Sequence, residues 1–198
     1  MNRLILAGAS ALILSFATPA AFAAGSGTTS TGGASAAKPA CAAGTAFSSS
    51  ANKCVSVCKN GQVFDAKKNK CVKKSADLSD PDIKAQGWAL AYAGDYQSAI
   101  EVFRMAANQS DPEVLNGLGY SHRKMGKVEE GIAYYGKALA ADPNYVLARE
   151  YLGEGYVAAG RIDLAKQQLS EIGNRCGTAC ESYLELAMTI TAAEAKSN

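Results

Sequence analysis

Three segments of the chain repeat one another in register, and this limits the possible folds more than any other feature of the sequence. They read DPDIKAQGWALAYAGDYQSAIEVFRMAANQS, PEVLNGLGYSHRKMGKVEEGIAYYGKALAADPNY and VLAREYLGEGYVAAGRIDLAKQQLSEIG. In each, a turn glycine is followed by a small residue, a long apolar residue, and another small or apolar residue. The series are Gly94, Ala99, Phe103, Ala106; Gly126, Gly131, Tyr135, Ala138; and Gly160, Ala165, Leu169, Ile172, at offsets of 32 and 34 residues. Leu118-Gly119 and Leu152-Gly153 recur ahead of the second and third turns. Small residues let paired helices approach closely, and Phe103, Tyr135 and Leu169 are placed to fill the gap between layers. One such pair cannot bury its apolar face, so neighbours must stack into a solenoid.

This pattern resembles the tetratricopeptide repeat family, whose unit is two antiparallel helices. The second unit begins at Pro112 and matches at Leu115, Leu118, Gly119, Gly126, Val128, Tyr135, Ala138 and Pro143. The third begins near Val146 and matches at Leu152, Gly153, Tyr156, Gly160, Ile162, Ala165, Leu169 and Ile172. The first begins near Asp80 and matches at Ile83, Gly87, Leu90, Gly94, Tyr96, Ala99, Phe103 and Ala106. There are departures. The first unit is two residues short, Gln86 stands where a leucine is expected, Gly131 replaces an alanine, and the third unit ends in NRCGTAC instead of at a proline.

The resemblance, which covers roughly Asp80 to Gly173, implies a concave face lined by the first helix of each unit. Carried over, its positions give Lys84, Trp88, Ala91 and Tyr92; Glu113, Asn116, Tyr120, Arg123 and Lys124; and Leu147, Glu150, Glu154, Val157 and Ala158. Exposed rings beside polar donors suit a protein or peptide partner. An alternative is that Trp88 and Tyr92 pack against the segment ahead of the first unit. The charges run from basic at Lys84, Arg123 and Lys124 to acidic at Glu150 and Glu154, which favours a partner of mixed polarity. Glu181 to Met188 reads as a further helix capping the stack, and Cys176 and Cys180 are placed to clip it to the last unit. Thiol oxidoreductase chemistry at that pair is the rival reading, but the spacing and the absence of a thioredoxin-like strand pattern argue against it.

Ahead of the helices lies a second, smaller duplication. A shift of 17 residues lays Cys41, Gly44, Phe47, Asn52, Lys53, Cys54 and Val55 on Cys58, Gly61, Phe64, Asn69, Lys70, Cys71 and Val72. Each copy suits a β-hairpin with a glycine turn and a polar tip, too small to hold a core, so that a disulfide replaces one. Duplication favours Cys41–Cys54 and Cys58–Cys71, while the sequence leaves the two other pairings open. Zinc would want ligands in close pairs, and only Cys54 and Cys58 are near each other.

The first residues, MNRLILAGASALILSFATPAAFAAG, read as a secretory signal peptide cut after Ala23. Its apolar run is short for a membrane span, and no cysteine follows until Cys41, so the expected product is not an integral membrane protein. The expected organisation is a signal peptide at 1–23, a Gly/Ser/Thr linker at 24–39, the cysteine module at 40–74 and the helical repeats at 79–195. In fold class this is mostly α, a helical-hairpin repeat solenoid behind a disulfide-stapled β-hairpin module. Charge is uneven. Ala24 to Ser75 carries eight lysines and one acid, Asp65, whereas Ala76 to Asn198 carries eleven basic and seventeen acidic residues. The basic module could grip an anionic envelope component such as peptidoglycan, or its lysines could serve solubility.

The single histidine, His122, has no second histidine to form a metal cluster, and no nucleophile elbow or phosphate-binding glycine loop is present. Neither a catalytic site, a metal, a cofactor nor nucleic-acid binding is expected. The reading is a secreted protein of the Gram-negative periplasm, a non-enzymatic scaffold for a protein partner, with envelope attachment as the alternative.

Overall fold

The computed structural model describes residues 41–73 and 78–197; the expected signal peptide and linker lie outside the described residues. Among the described residues two antiparallel hairpins come first. β1 (Thr45–Ser48) pairs with β2 (Lys53–Ser56), and β3 (Val63–Asp65) pairs with β4 (Lys70–Val72). The duplication is visible atom by atom. Phe47 stands opposite Cys54 and Phe64 opposite Cys71. At the tips the equivalent residues Ser48 and Asp65 are buried and accept backbone N–H groups from Ala51 and from Lys67 and Lys68. Asn52 and Asn69 take φ values of 50° and 48°, a left-handed turn that asparagine tolerates better than most residues. Disulfides Cys41–Cys54 and Cys58–Cys71 close the two hairpins, with Cα separations of 5.7 and 5.8 Å. All four sulfurs are thereby used, and zinc has no ligands there.

Among the described residues seven helices follow: α1 (Asp80–Tyr92), α2 (Tyr96–Phe103), α3 (Pro112–Lys124), α4 (Val128–Ala141), α5 (Val146–Ala158), α6 (Ile162–Cys176) and α7 (Glu181–Ser197). Ser79, Asp95 and Asp111 cap α1, α2 and α3, and proline occupies the first turn of α1 and α3, where its missing N–H costs nothing. Each pair turns at a glycine with positive φ: Gly94 (85°), Gly126 (84°) and Gly160 (72°). The tetratricopeptide-like packing follows from the small residues. Phe103, wholly buried, lies between Gly87 of α1 and Gly117 of α3, and Tyr135 lies against Gly119.

α2 is short. It ends at Phe103, whereas the equivalent α4 runs six residues past Tyr135. Two side chains hold the chain out of the helix. The Asp80 carboxylate accepts the N–H groups of Ala107 (2.7 Å) and Asn108 (3.1 Å). The Gln109 amide donates to the carbonyls of Phe103 (3.2 Å) and Ala106 (2.7 Å), satisfying groups that a further turn would have paired.

Both ends of the stack are covered by something that is not a repeat. At the N-terminal end the hairpins pack on α1 and α2, and Val63 joins the cluster of Ile83, Leu90, Ile100, Val102 and Phe103. Gln86, the departure from the repeat pattern, is the docking point: it is buried, and its side-chain oxygen accepts the Cys58 N–H at 3.4 Å. A leucine there would leave that buried donor without a partner. Asp82 plays a similar part. Burial works against its charge, but hydrogen bonds from Ser50, Ser79 and Ser48 outweigh this and hold its carboxyl below the usual range. At the C-terminal end α7 lies on α5 and α6, with Leu186 wholly buried against the bare backbone at Gly153 and Ile190 beside Ala165 and Ile172. Cys176 and Cys180 are bonded across the α6–α7 turn, as a clip requires.

Candidate functional site

The first helices α1, α3 and α5 carry a continuous ladder of rings. Trp88 and Tyr92, one turn apart on α1, stack with centroids 5.2 Å apart. Tyr120 of α3 meets both edge-on, at 5.6 and 5.7 Å, and reaches Tyr151 of α5 at 5.1 Å. Tyr96, at the start of α2, joins Tyr120 from the side at 6.3 Å. Offset and edge-to-face contacts of this kind are the favoured aromatic geometries. The Tyr92 and Tyr151 hydroxyls lie 3.4 Å apart, and Tyr92 remains 61% exposed. Trp88 and Tyr92 therefore meet rings of α3 and α5, and Trp88 also packs on the cluster that Val63 joins.

The charges beside the rings are largely matched internally. Arg123 Nε donates to the Tyr135 hydroxyl at 3.1 Å, its Nη2 meets Glu154 at 2.5 Å, and its guanidinium lies over Tyr120 and Tyr151. Lys84 bridges Asp111 (3.0 Å) and Glu113 (2.9 Å). Burial opposes its charge, but the two carboxylates more than offset this and push its pKa up. Among the described residues, Lys124 alone of the expected groove cations has no carboxylate partner; it is exposed, with its ammonium 5.4 Å from the Tyr120 ring.

Of the residues expected to line the groove, Trp88, Tyr92, Tyr120, Arg123, Lys124 and Glu154 are brought together, and Lys84 sits in its own ion-pair cluster. Asn116 and Glu150 lie below the surface. Asn116 is wholly buried and donates to the Tyr145 hydroxyl at 3.4 Å. Glu150 is 6% exposed beneath the start of α7. Tyr151 and Tyr96 belong to the ring ladder although the family's groove positions do not name them. Tyr151 stands one residue after Glu150 and corresponds to Gly117 in the unit before, so the repeat pattern carried no signal for a ring there.

Burial pushes the Glu150 carboxyl up to about 7, a hydrogen bond with Ser182 opposes this, and Glu154, Glu185 and Glu181 add to it. An acid raised on folding holds its proton more tightly in the folded chain, so the penalty is absent below about 4.5, grows as pH rises and is complete above about 7. Glu150→Gln is expected to flatten the fall in stability between pH 5 and 8 and to stabilise the protein at pH 8 by on the order of 1 kcal/mol. Urea midpoints of both proteins at the two pH values check this; an unchanged slope would assign the pH dependence to other groups.

His122, the single histidine, is buried, bonded through Nδ1 to Glu130 at 2.8 Å and stacked on Tyr134. No described helix is long and apolar enough to cross a membrane.

The second helical pair, residues 112–145, matches the tetratricopeptide repeat family model. The chain is similar to a tetratricopeptide repeat domain-containing protein, PYG7 of the Arabidopsis thaliana chloroplast, at 27% identity over 105 residues. That stretch is 50% of this chain and 35% of the relative, so the chain spans about a third of the relative's length. Among solved structures, the first repeat domain of Spaghetti (RPAP3), bound to the HSP90 peptide SRMEEVD, superposes with a TM-score of 0.52 at 18% identity, covering 59% of this chain and 94% of that one. The Yersinia enterocolitica type III secretion chaperone SycD, in complex with a peptide of the translocator YopD, gives 0.52 at 18%, covering 63% and 100%. At these identities the likeness is one of fold: the helical half is a tetratricopeptide-like solenoid.

Proposed function

We propose that this protein is a non-catalytic scaffold of the Gram-negative periplasm that holds an extended segment of a partner protein across Trp88, Tyr92, Tyr120 and Lys124. The observation that carries the reading is the ring ladder shared by α1, α3 and α5, with Tyr92 mostly exposed. Rigid rings offer contact area at little entropic cost. The RPAP3 and SycD domains, alike in fold, each hold a peptide. Recognition here differs in kind from a cluster of free cations gripping an acidic tail, because Lys84 and Arg123 already have carboxylate partners. The leader-like first residues and the three disulfides support an oxidising compartment outside the cytoplasm.

A photo-crosslinking phenylalanine analogue at Tyr92, with a control at Gly136 on the open face of α4, tests the reading in cells. The expected result is a discrete adduct from position 92, absent from 136 and reduced at least tenfold (roughly 1.4 kcal/mol) by Tyr120→Ala with Lys124→Ala. Equal labelling at both positions, or none at 92, would count against the scaffold reading.

A further inference from the structure

The early end of α2 leaves a cleft that none of the ladder rings lines. It measures about 580 Å³ and lies between the loop after α2 and the α3–α4 pair, within the size range of small-ligand sites, ~300–1,000 Å³. Leu115 and Leu118 form its floor, and Tyr134 a wall. At its rim, the Gln109 amide is already bonded to two backbone carbonyls. Ser110 lies beside it, and the charged groups of the lining are two cations. Arg104 and Lys137 both line the cleft and are exposed, and among the described residues neither is in an ion pair. Lys137 rests 5.3 Å from the centroid of the Tyr134 ring, which keeps its stem along the wall and its ammonium at the mouth.

We propose that this cleft is a binding site for an aliphatic carboxylate, with the chain on the leucine floor and the carboxylate between Arg104 and Lys137. Charge complementarity selects the anion. The apolar lining selects the body, because a small inorganic or short organic anion would leave Tyr134, Ala140 and Ala141 uncovered above the buried leucines. A neutral chain of the same length would leave both cations without a counter-charge. The site owes its existence to Asp80 and Gln109, which stop α2 where a longer helix would have continued beside α3.

Amide chemical shifts of the disulfide-intact protein, titrated with octanoate, octanol and acetate in parallel, test this. Octanoate is expected to shift Ser110, Leu118, Tyr134 and Ala141 saturably and at least tenfold more tightly than either control. Arg104→Ala with Lys137→Ala, both exposed positions, should reduce octanoate to the level of octanol and leave the melting temperature unchanged. Octanol binding as tightly as octanoate would show an apolar hollow only, and acetate doing so would show a surface anion contact only. Shifts confined to the Tyr92–Tyr120 face, or no saturation at all, would likewise overturn the assignment.

Discussion

Phe103→Ala is expected to destabilise the protein by about 3–5 kcal/mol, the upper range for loss of a buried ring. The reason lies in what surrounds the ring. Phe103 is wholly buried, and a Cβ at Gly87 would fall 2.7 Å from its Cε1, with Gly117 approaching from the other side. Two of the cavity walls are therefore bare backbone, with no side chain to swing into the void. Helices α1 and α3 could close it only by moving bodily, against the hairpin module on one side and α4 on the other. A loss of this size is a large share of the ~5–15 kcal/mol that holds a domain together, so the first repeat should open while α5 to α7 stay folded, as nearest-neighbour stacking allows. Hydrogen exchange resolved by helix measures it. Gly117→Ala supplies the internal control: alone it should destabilise by overpacking, roughly 1–3 kcal/mol, but in the Phe103→Ala background it should restore stability by part-filling the hole. Additive effects of the two changes would contradict the packing described here.

The second large effect is expected on replacing Cys58 and Cys71 by serine. Loss of a native disulfide from so small a module costs about 2–5 kcal/mol, and a three-residue strand pair has little else to hold it. The consequence should reach beyond the hairpin, because Val63 and the Cys58 N–H meet the first repeat alongside the first hairpin's Ser50: Val63 sits in its core cluster and the Cys58 N–H pairs with Gln86. Exchange protection of α1 and α2 should fall with the hairpin's, while α6 and α7 keep theirs. If α1 and α2 kept full protection, the module would be an appendage and not a cap. If every helix lost protection equally, the stack would be one cooperative unit, which three nearest-neighbour interfaces do not predict.

Much of this was legible because repetition encodes geometry. Gly94, Gly126 and Gly160 mark turns at nearly regular intervals, and Pro112 marks a helix start. The cysteine copies pointed to one bond each because a hairpin closes on itself. What was hidden depends on side chains that meet across the fold. Nothing in RMAANQS breaks a helix locally; α2 stops because Asp80, 27 residues earlier, takes the backbone of Ala107. Gln86 looked like a flaw in the pattern, since its partner belongs to another module. The basic-to-acidic run along the groove was read from single positions, and the structure joins its two ends in the Arg123–Glu154 pair. Asn116 and Glu150 occupy family groove positions but are covered by Tyr145 and by α7, neither of which the repeat pattern places.

The three disulfides join each cysteine to the next in chain order, at separations of 13, 13 and 4 residues. None encloses another. A chain oxidised progressively from its N-terminus would meet each correct partner before any wrong one appeared, so native connectivity can be reached without reshuffling. The order of the cysteines is itself the pairing instruction.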